Sequence, residues 1–248
     1  ALVSDAQNCG NILAGVGAFA IERGLVTAHN SVTQVRIFMR NTGQIAVASI
    51  ATPDGHVSYG GDAFIDGVPG TAAAVPLVFE NTAGSMCGAL LPSGSSSDRI
   101  SDLDVTLIDN GMPVVVLRAA DLGISGYEAP ADLDADAGLK ERLEALRLAC
   151  GERMGLGDVS SKSVPKMILV ASPLAGGSFM TRSFIPHRCH DTIGVFAAIS
   201  AATAALLPDS ALAEIAVIPD DNDKTMIVEH PSGSTACILH TDVDGAIT

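Results

Sequence analysis

Apolar and polar positions along the chain alternate between two periods. Small apolar residues run from Ile12 to Ile21 directly after Cys9-Gly10-Asn11, and this run predicts a helix. Ile37 to Val57 reads as strand, an Asn41-Thr42-Gly43 turn, a strand over Ile45 to Ile50, and an Asp54-Gly55 turn. Gly67 to Ser97, rich in Gly, Ser, Pro and Ala, reads as a crossover. Asp104–Ile108 and Val114–Leu117 flank Asp109-Asn110-Gly111, and an Asn-Gly pair between β-branched runs predicts a hairpin. Ala137 to Cys150 carries apolar residues at helical spacing, with Lys140, Glu141, Arg142, Glu144 and Arg147 between them, which predicts an amphipathic helix with those five outward. Met167 to Ala171 is a short buried strand. Ile193 to Leu207 is the longest apolar run at 15 residues. It is short of the ~18 that suggest a bilayer span and predicts a buried helix.

The pattern occurs twice. Arg188-Cys189-His190-Asp191 precedes the second small-residue helix as Asn8-Cys9-Gly10-Asn11 precedes the first, with Asn11 and Asp191 placed as caps. Downstream of the second, Met226 to Ile247 reads as strand, a Pro231-Ser232-Gly233 turn, a strand over Thr235 to Leu239, and an Asp244-Gly245 turn. A shared order of helix, hairpin and turn indicates internal duplication.

Composition narrows the function. The 248 residues hold 14 Lys and Arg against 28 Asp and Glu, a net charge of −14. A field of that sign repels phosphate backbones and excludes nucleic acid as the expected partner. It also means that an anionic ligand needs a locally positive site. The five cysteines (Cys9, Cys87, Cys150, Cys189, Cys237) show no CxxC spacing, so no zinc or dithiol redox motif is signalled. An odd count in a chain of this length suits a reducing cytoplasm. There is no P-loop, no GxGxxG at a strand-helix junction and no GxSxG.

Two segments are candidates for chemistry. A thiol just before a helix feels the positive end of the dipole, and the free amides there can hold a carboxylate or an enolate oxygen. Gly10 lets a ligand approach closely. The plain alternative is a small residue opening an ordinary helix. In the second segment, Arg182, His187, Arg188 and His190 gather around Cys189 before an apolar helix, where the dipole disfavours cations. They read as a clamp for a di- or tricarboxylate, or as local partners of nearby acids. Zinc on two His and a Cys is a weak alternative, because adjacent positions converge poorly on one metal. Lys166, ahead of the Met167 strand, is either a further carboxylate ligand or a surface residue. The acids from Asp98 to Asp104 and Asp132, Asp134 and Asp136 read as solvated loop or helix-start charges.

The runs Gln7–Val16, Ile108-Asp109-Asn110-Gly111-Met112-Pro113 and Ser183–His190 resemble the PrpF-like isomerases of diaminopimelate epimerase-like fold, and the resemblance covers essentially the whole chain. It implies an α+β fold of two pseudo-repeated halves, residues 1–97 and 98–248, each a sheet wrapped around a central helix, with the active site in the cleft between them. The implied chemistry is proton abstraction beside a carbonyl and reprotonation at another carbon, which moves a double bond with no metal or organic cofactor. The resemblance is strongest to 4-oxalomesaconate tautomerases of aromatic-acid breakdown. Aconitate and methylitaconate isomerases are the near alternatives, and a non-catalytic carboxylate-binding module or a two-thiol racemase using Cys9 and Cys189 are the distant ones. Carried over, Cys9 is the acid/base. Asn8, Gly10 and Asn11 hold a carboxylate or the enolate, and Asn110 and Met112 line the second half. Arg182, His187, Arg188, Cys189 and His190 surround the remaining carboxylates of a tricarboxylate. No nucleic-acid or membrane partner is expected, and a homodimer is compatible. Family chains carry an Arg-Gly-Gly-Thr-Ser-Lys-Gly type loop and a partner lysine ahead of the Cys-Gly-Asn turn. The sequence starts eight residues before Cys9. The expectation is therefore a first half lacking its opening and closing strands, inactive at this length.

Overall fold

A computed structural model describes residues 9–241. Asn8 and the Asp244-Gly245 turn lie outside the described residues.

The first unit is built on helix α1 (Gly10–Glu22) and the strands β1 (Ser31–Met39), β2 (Gln44–Thr52) and β3 (Leu77–Glu80), paired antiparallel in that order. Gly10, Leu13, Gly17, Ala20 and Ile21 of α1 are buried, a stripe at helical spacing. The stripe lies on the sheet, and Ala18, Ile21, Val35, Ala48 and Ile50 form the core. Gly17 sets the closeness of this contact, because a Cβ there would sit 2.8 Å from Ile50. β3 lies within the stretch expected to be an irregular crossover.

The second unit is a seven-stranded sheet in the order β10-β9-β8-β7-β6-β5-β4. Its strands are β4 (Asp98–Ile100), β5 (Leu103–Asp109), β6 (Pro113–Arg118), β7 (Lys166–Ala171), β8 (Phe179–Phe184), β9 (Lys224–His230) and β10 (Gly233–Leu239). The joints β6/β7 and β8/β9 are parallel and the others antiparallel. The first parallel joint is crossed by α2 (Pro130–Ala135) and α3 (Ala137–Arg153), the second by α4 (Val195–Ala205). Parallel neighbours require such crossovers.

The pleat sorts side chains onto two faces. Leu107, Val115, Leu117, Met167, Leu169 and Phe184 pack with Leu139, Leu143, Leu146 and Cys150 of α3. Burying each of these leucines contributes roughly 1.5–3 kcal/mol. The intervening residues Ile108, Val114, Val116 and Ile168 point the other way, toward α4 and its buried Ala198, Ala201 and Ala204. The repeated order survives in three dimensions: α1 precedes the β1/β2 hairpin and packs on it, as α4 does with β9/β10.

The chain divides into its two units at Thr82–Ala83. Residues 83–97 join the second unit because the Asp109 carboxylate, itself buried, accepts bonds from Ser85 Oγ (2.8 Å), Met86 N (2.7 Å) and Cys87 N (2.8 Å). The Asp109 amide also donates to the Leu90 carbonyl at 2.9 Å. Arg147 is not on a solvated face but fully buried, held by Glu144 and by the carbonyls of Val159, Lys162 and Val164. Among the acids read as solvated or helix-start charges, Asp136 is a helix-start charge, capping α3 by accepting from Leu139 N at 2.9 Å, and Asp134 braces a loop described below.

Candidate functional site

Cys9 is itself the cap of α1, in extended conformation (φ −119°, ψ 102°), with Gly10 as the first helical residue. The Cys9 carbonyl accepts the first helical bond from Leu13 N at 3.3 Å. Asn11, expected as the cap, is instead exposed within the first turn. The thiol is exposed and makes no capping bond, so it stands beside first-turn amides that no helical carbonyl satisfies. A helix end of this kind favours negative charge on a ligand.

In the second unit, Asn110 and Met112 lie in the β5/β6 turn on the α4 side. Asn110 Nδ2 donates to Thr203 Oγ1 at 2.9 Å, its amide donates to Ser200 Oγ, and Ser200 Oγ donates to the Met112 carbonyl at 2.9 Å. Gly111 is the pivot, because it has φ +86° and a Cβ there would strike the Phe196 ring. The turn is thus fastened to one face of α4 by Asn110 and by Ser200 and Thr203 of the helix.

The cation-rich segment stands in a loop ahead of α4 rather than in its first turn. α4 begins at Val195 with Gly194 as its cap, so Cys189, His190 and Asp191 belong to the preceding loop. The physical reason is local pairing. Asp134 Oδ1 accepts from Cys189 N at 2.7 Å, and Asp134 Oδ2 pairs with Arg188 at 3.3 Å. His187 lies 3.4 Å from Glu144. His190 is exposed, with Nδ1 3.2 Å from Thr192 Oγ1. Cys189 packs in the α3-side cluster, where burial pushes its thiol up to about 11 against the lowering influence of Arg182. Arg182 sits on that face too, opposite Leu169, buried and donating to the carbonyls of Glu128 (2.7 Å) and Thr181 (2.9 Å). Burial lowers its pKa. The five residues of this segment therefore lie on the α3 side or in solvent, whereas Asn110 and Met112 face α4. Among the described residues no group of three or more His, Cys, Asp or Glu is placed to hold a metal.

Two polar residues are buried on the α4 face. Lys166, read from the sequence as either a carboxylate ligand or a surface residue, is only 6% exposed, and Ser183 is 1% exposed. Glu229, level with Met180 and so on the other face of the sheet, orders a loop: its buried carboxylate accepts from the amides of Leu174 (2.7 Å), Ala175 (2.8 Å) and Gly177 (2.7 Å). Burial opposes ionisation, yet the three amides outweigh it and hold the carboxyl below its ordinary range. A depressed folded pKa stabilises above the ordinary glutamate pKa, and that contribution is lost as pH falls through the folded value. Glu229→Gln is expected to cost about 1.5–3 kcal/mol at neutral pH, with the gap to the parent closing in acid. Urea midpoints at neutral and acid pH check this.

The sequence matches the PrpF protein family over residues 2–247. It is 62% identical to a (4E)-oxalomesaconate Delta-isomerase of Novosphingobium sp. (strain KA1), covering 100% of this chain and 69% of the relative. It is 58% identical to a 4-oxalomesaconate tautomerase of Pseudomonas putida, covering 94% and 64%. This chain thus spans about two thirds of their length. A crystal structure of methylitaconate-delta-isomerase superposes with a TM-score of 0.87 at 30% identity, over 97% of this chain and 68% of that one. A hydroxyproline epimerase from Agrobacterium vitis shares the fold alone, with a TM-score of 0.52 at 14% identity over 97% and 61%. The fold is diaminopimelate epimerase-like, and the chain belongs to the PrpF family of isomerases.

Proposed function

We propose that the protein moves a carbon–carbon double bond in 4-oxalomesaconate, or a close tricarboxylate, by cofactor-independent proton transfer. The observation that carries this reading is the 62% identity to the Novosphingobium Delta-isomerase across this entire chain. The exposed, uncommitted thiol of Cys9 at the start of α1 supports the role of acid/base. One carbon next to the carbonyl loses a proton, the electron pair enters a dienolate, and a proton returns at the far carbon. Asn8, Gly10 and Asn11 are assigned to the enolate or its neighbouring carboxylate. Asn110 and Met112 are assigned to substrate binding. Isomerisation of a methylitaconate- or aconitate-type acid is the second reading, supported by the methylitaconate-delta-isomerase fold match.

The test is incubation with 4-oxalomesaconate in deuterated buffer, followed by NMR. Deuterium entering the carbon skeleton together with a shifted double bond is the expected result. No exchange and no shift would remove the proposal, and a shift only with methylitaconate would transfer it to the second reading. Five free cysteines support a reducing cytoplasmic location. Among the described residues no helix is long and apolar enough to cross a membrane. A homodimer is part of the proposal and is read by light scattering.

A further inference from the structure

The strongly acidic chain needs a cation wherever it receives an anion, and the clustered cations of the Cys189 segment lie on the α3 side or in solvent. The α4 face holds a different one. Lys166 opens β7, level with Val114 of β6 and one pleat away from Met167, which packs toward α3. Ile168, on the same face as Lys166, pairs with Ser183 of β8. Lys166 and Ser183 are therefore diagonal neighbours across the β7/β8 joint, about 7–8 Å between α-carbons, within reach of a lysine side chain. Among the described residues the Lys166 ammonium has no hydrogen bond and no carboxylate within ion-pair distance. Ser183 Oγ is the buried side-chain polar atom that lacks a partner among them. The buried Ser183 hydroxyl departs from the rule that buried polar groups are satisfied, and the neighbouring Lys166 ammonium keeps some solvent contact but has no protein acceptor among the described residues.

The geometry points to a carboxylate subsite on the α4 face, with Lys166 as the ion-pairing group and the Ser183 hydroxyl beside it. This deepens the tricarboxylate reading above and rests on it only for the identity of the anion. No competing acid is at hand. Asp109, the buried carboxylate at the end of β5, is occupied by Ser85, Met86 and Cys87. Glu144 is occupied by Arg147. Burial, with the Arg147 guanidinium as a second cause, brings the Lys166 ammonium down to about 8. An arriving carboxylate would restore the counter-charge that the fold withholds. A residue held for a ligand carries a signature that a structural residue lacks: its replacement by an isosteric apolar group removes binding without weakening the fold.

The test uses the whole chain and citrate, an inert tricarboxylate, in titration calorimetry with thermal melts alongside. Lys166→Met is expected to bind citrate roughly 10- to 100-fold more weakly with an unchanged or higher Tm. Ser183→Ala is expected to bind severalfold more weakly. Lys224→Met, whose ammonium donates to the Pro219 carbonyl, should bind as the parent does. Unmodified protein supplies a second reading: citrate should protect Lys166 from acylation, read by peptide mass spectrometry, even if a variant fails to fold. Parent-like citrate binding by Lys166→Met, absent protection, or a parent protein that binds no citrate overturns the inference. A protein that protects Lys166 yet turns over no 4-oxalomesaconate overturns only the isomerase reading. Normal turnover without protection overturns only this subsite.

Discussion

Cys9→Ser is expected to slow the isomerisation of 4-oxalomesaconate by roughly 10²- to 10⁴-fold, the usual contribution of a positioned acid or base. The fold should not register the change. The thiol is exposed and makes no capping bond, so nothing structural depends on the sulfur. Serine is also among the preferred residues at a helix cap, so α1 keeps or gains stability. What changes is the ease of ionisation, because a hydroxyl gives up its proton far less readily than a thiol. Rate measurements paired with a thermal melt separate the two effects. A serine variant with the parent's kcat would take Cys9 out of the chemistry. A slow variant with a lowered Tm would assign the loss to folding instead.

The second large effect is on stability. Arg147→Met should lower the free energy of unfolding by about 3–5 kcal/mol, as removal of one partner from a buried ionic network does. The guanidinium is fully buried. Its Nε and Nη2 meet the two Glu144 oxygens at 2.7 and 2.8 Å, and the remaining bonds reach the carbonyls of Lys162 (3.2 Å), Val164 (2.9 Å) and Val159 (3.0 Å). Methionine fills the volume but takes the guanidinium donors from the Lys162 and Val164 carbonyls, while the Val159 carbonyl keeps the Lys162 amide at 2.9 Å. Glu144 loses its partner at less cost, since it retains partial solvent access. Urea denaturation gives the number, and a variant as stable as the parent would show that water replaces the guanidinium. The contrast with Lys166→Met is instructive. Two buried cations lie near each other, one fully bonded and one not, and their substitutions are expected to move stability in opposite directions.

Much of the fold was legible from periodicity. α1, α3, α4, the three hairpins (β1/β2, β5/β6 and β9/β10) and β7 follow apolar spacing, and the hairpin turns carry Gly or Asn where the backbone needs them. β8 was not legible. Its sequence, Phe-Met-Thr-Arg-Ser-Phe, is buried along its whole length, so the alternation of a half-exposed strand is absent. β3 is only four residues long and sits in a Gly- and Pro-rich stretch. Of the candidate site, the thiol and the Asn110–Met112 turn follow from local motif. The arginines and histidines around Cys189 are near one another in sequence, but the fold spreads their side chains. The pleat sends Arg182 and Ser183 to opposite faces, and Asp134, more than fifty positions away, draws the loop toward α2. Lys166 was ambiguous because a single lysine before a strand looks the same whether the strand opens at the surface or in the core.

The strand order of the larger sheet bears on how the protein is made. From β4 to β10 each strand hydrogen-bonds to the next one in the sequence, with no strand inserted between two earlier ones. During synthesis each strand can therefore dock on an edge already present, and no paired strands need to be opened for a latecomer. The slow steps should be the two parallel joints, whose chains must first close loops through α2 and α3, or through α4. Until α4 docks, the face carrying Val114, Val116 and Ile168 stays uncovered, and that interval is when a nascent chain is most exposed to aggregation.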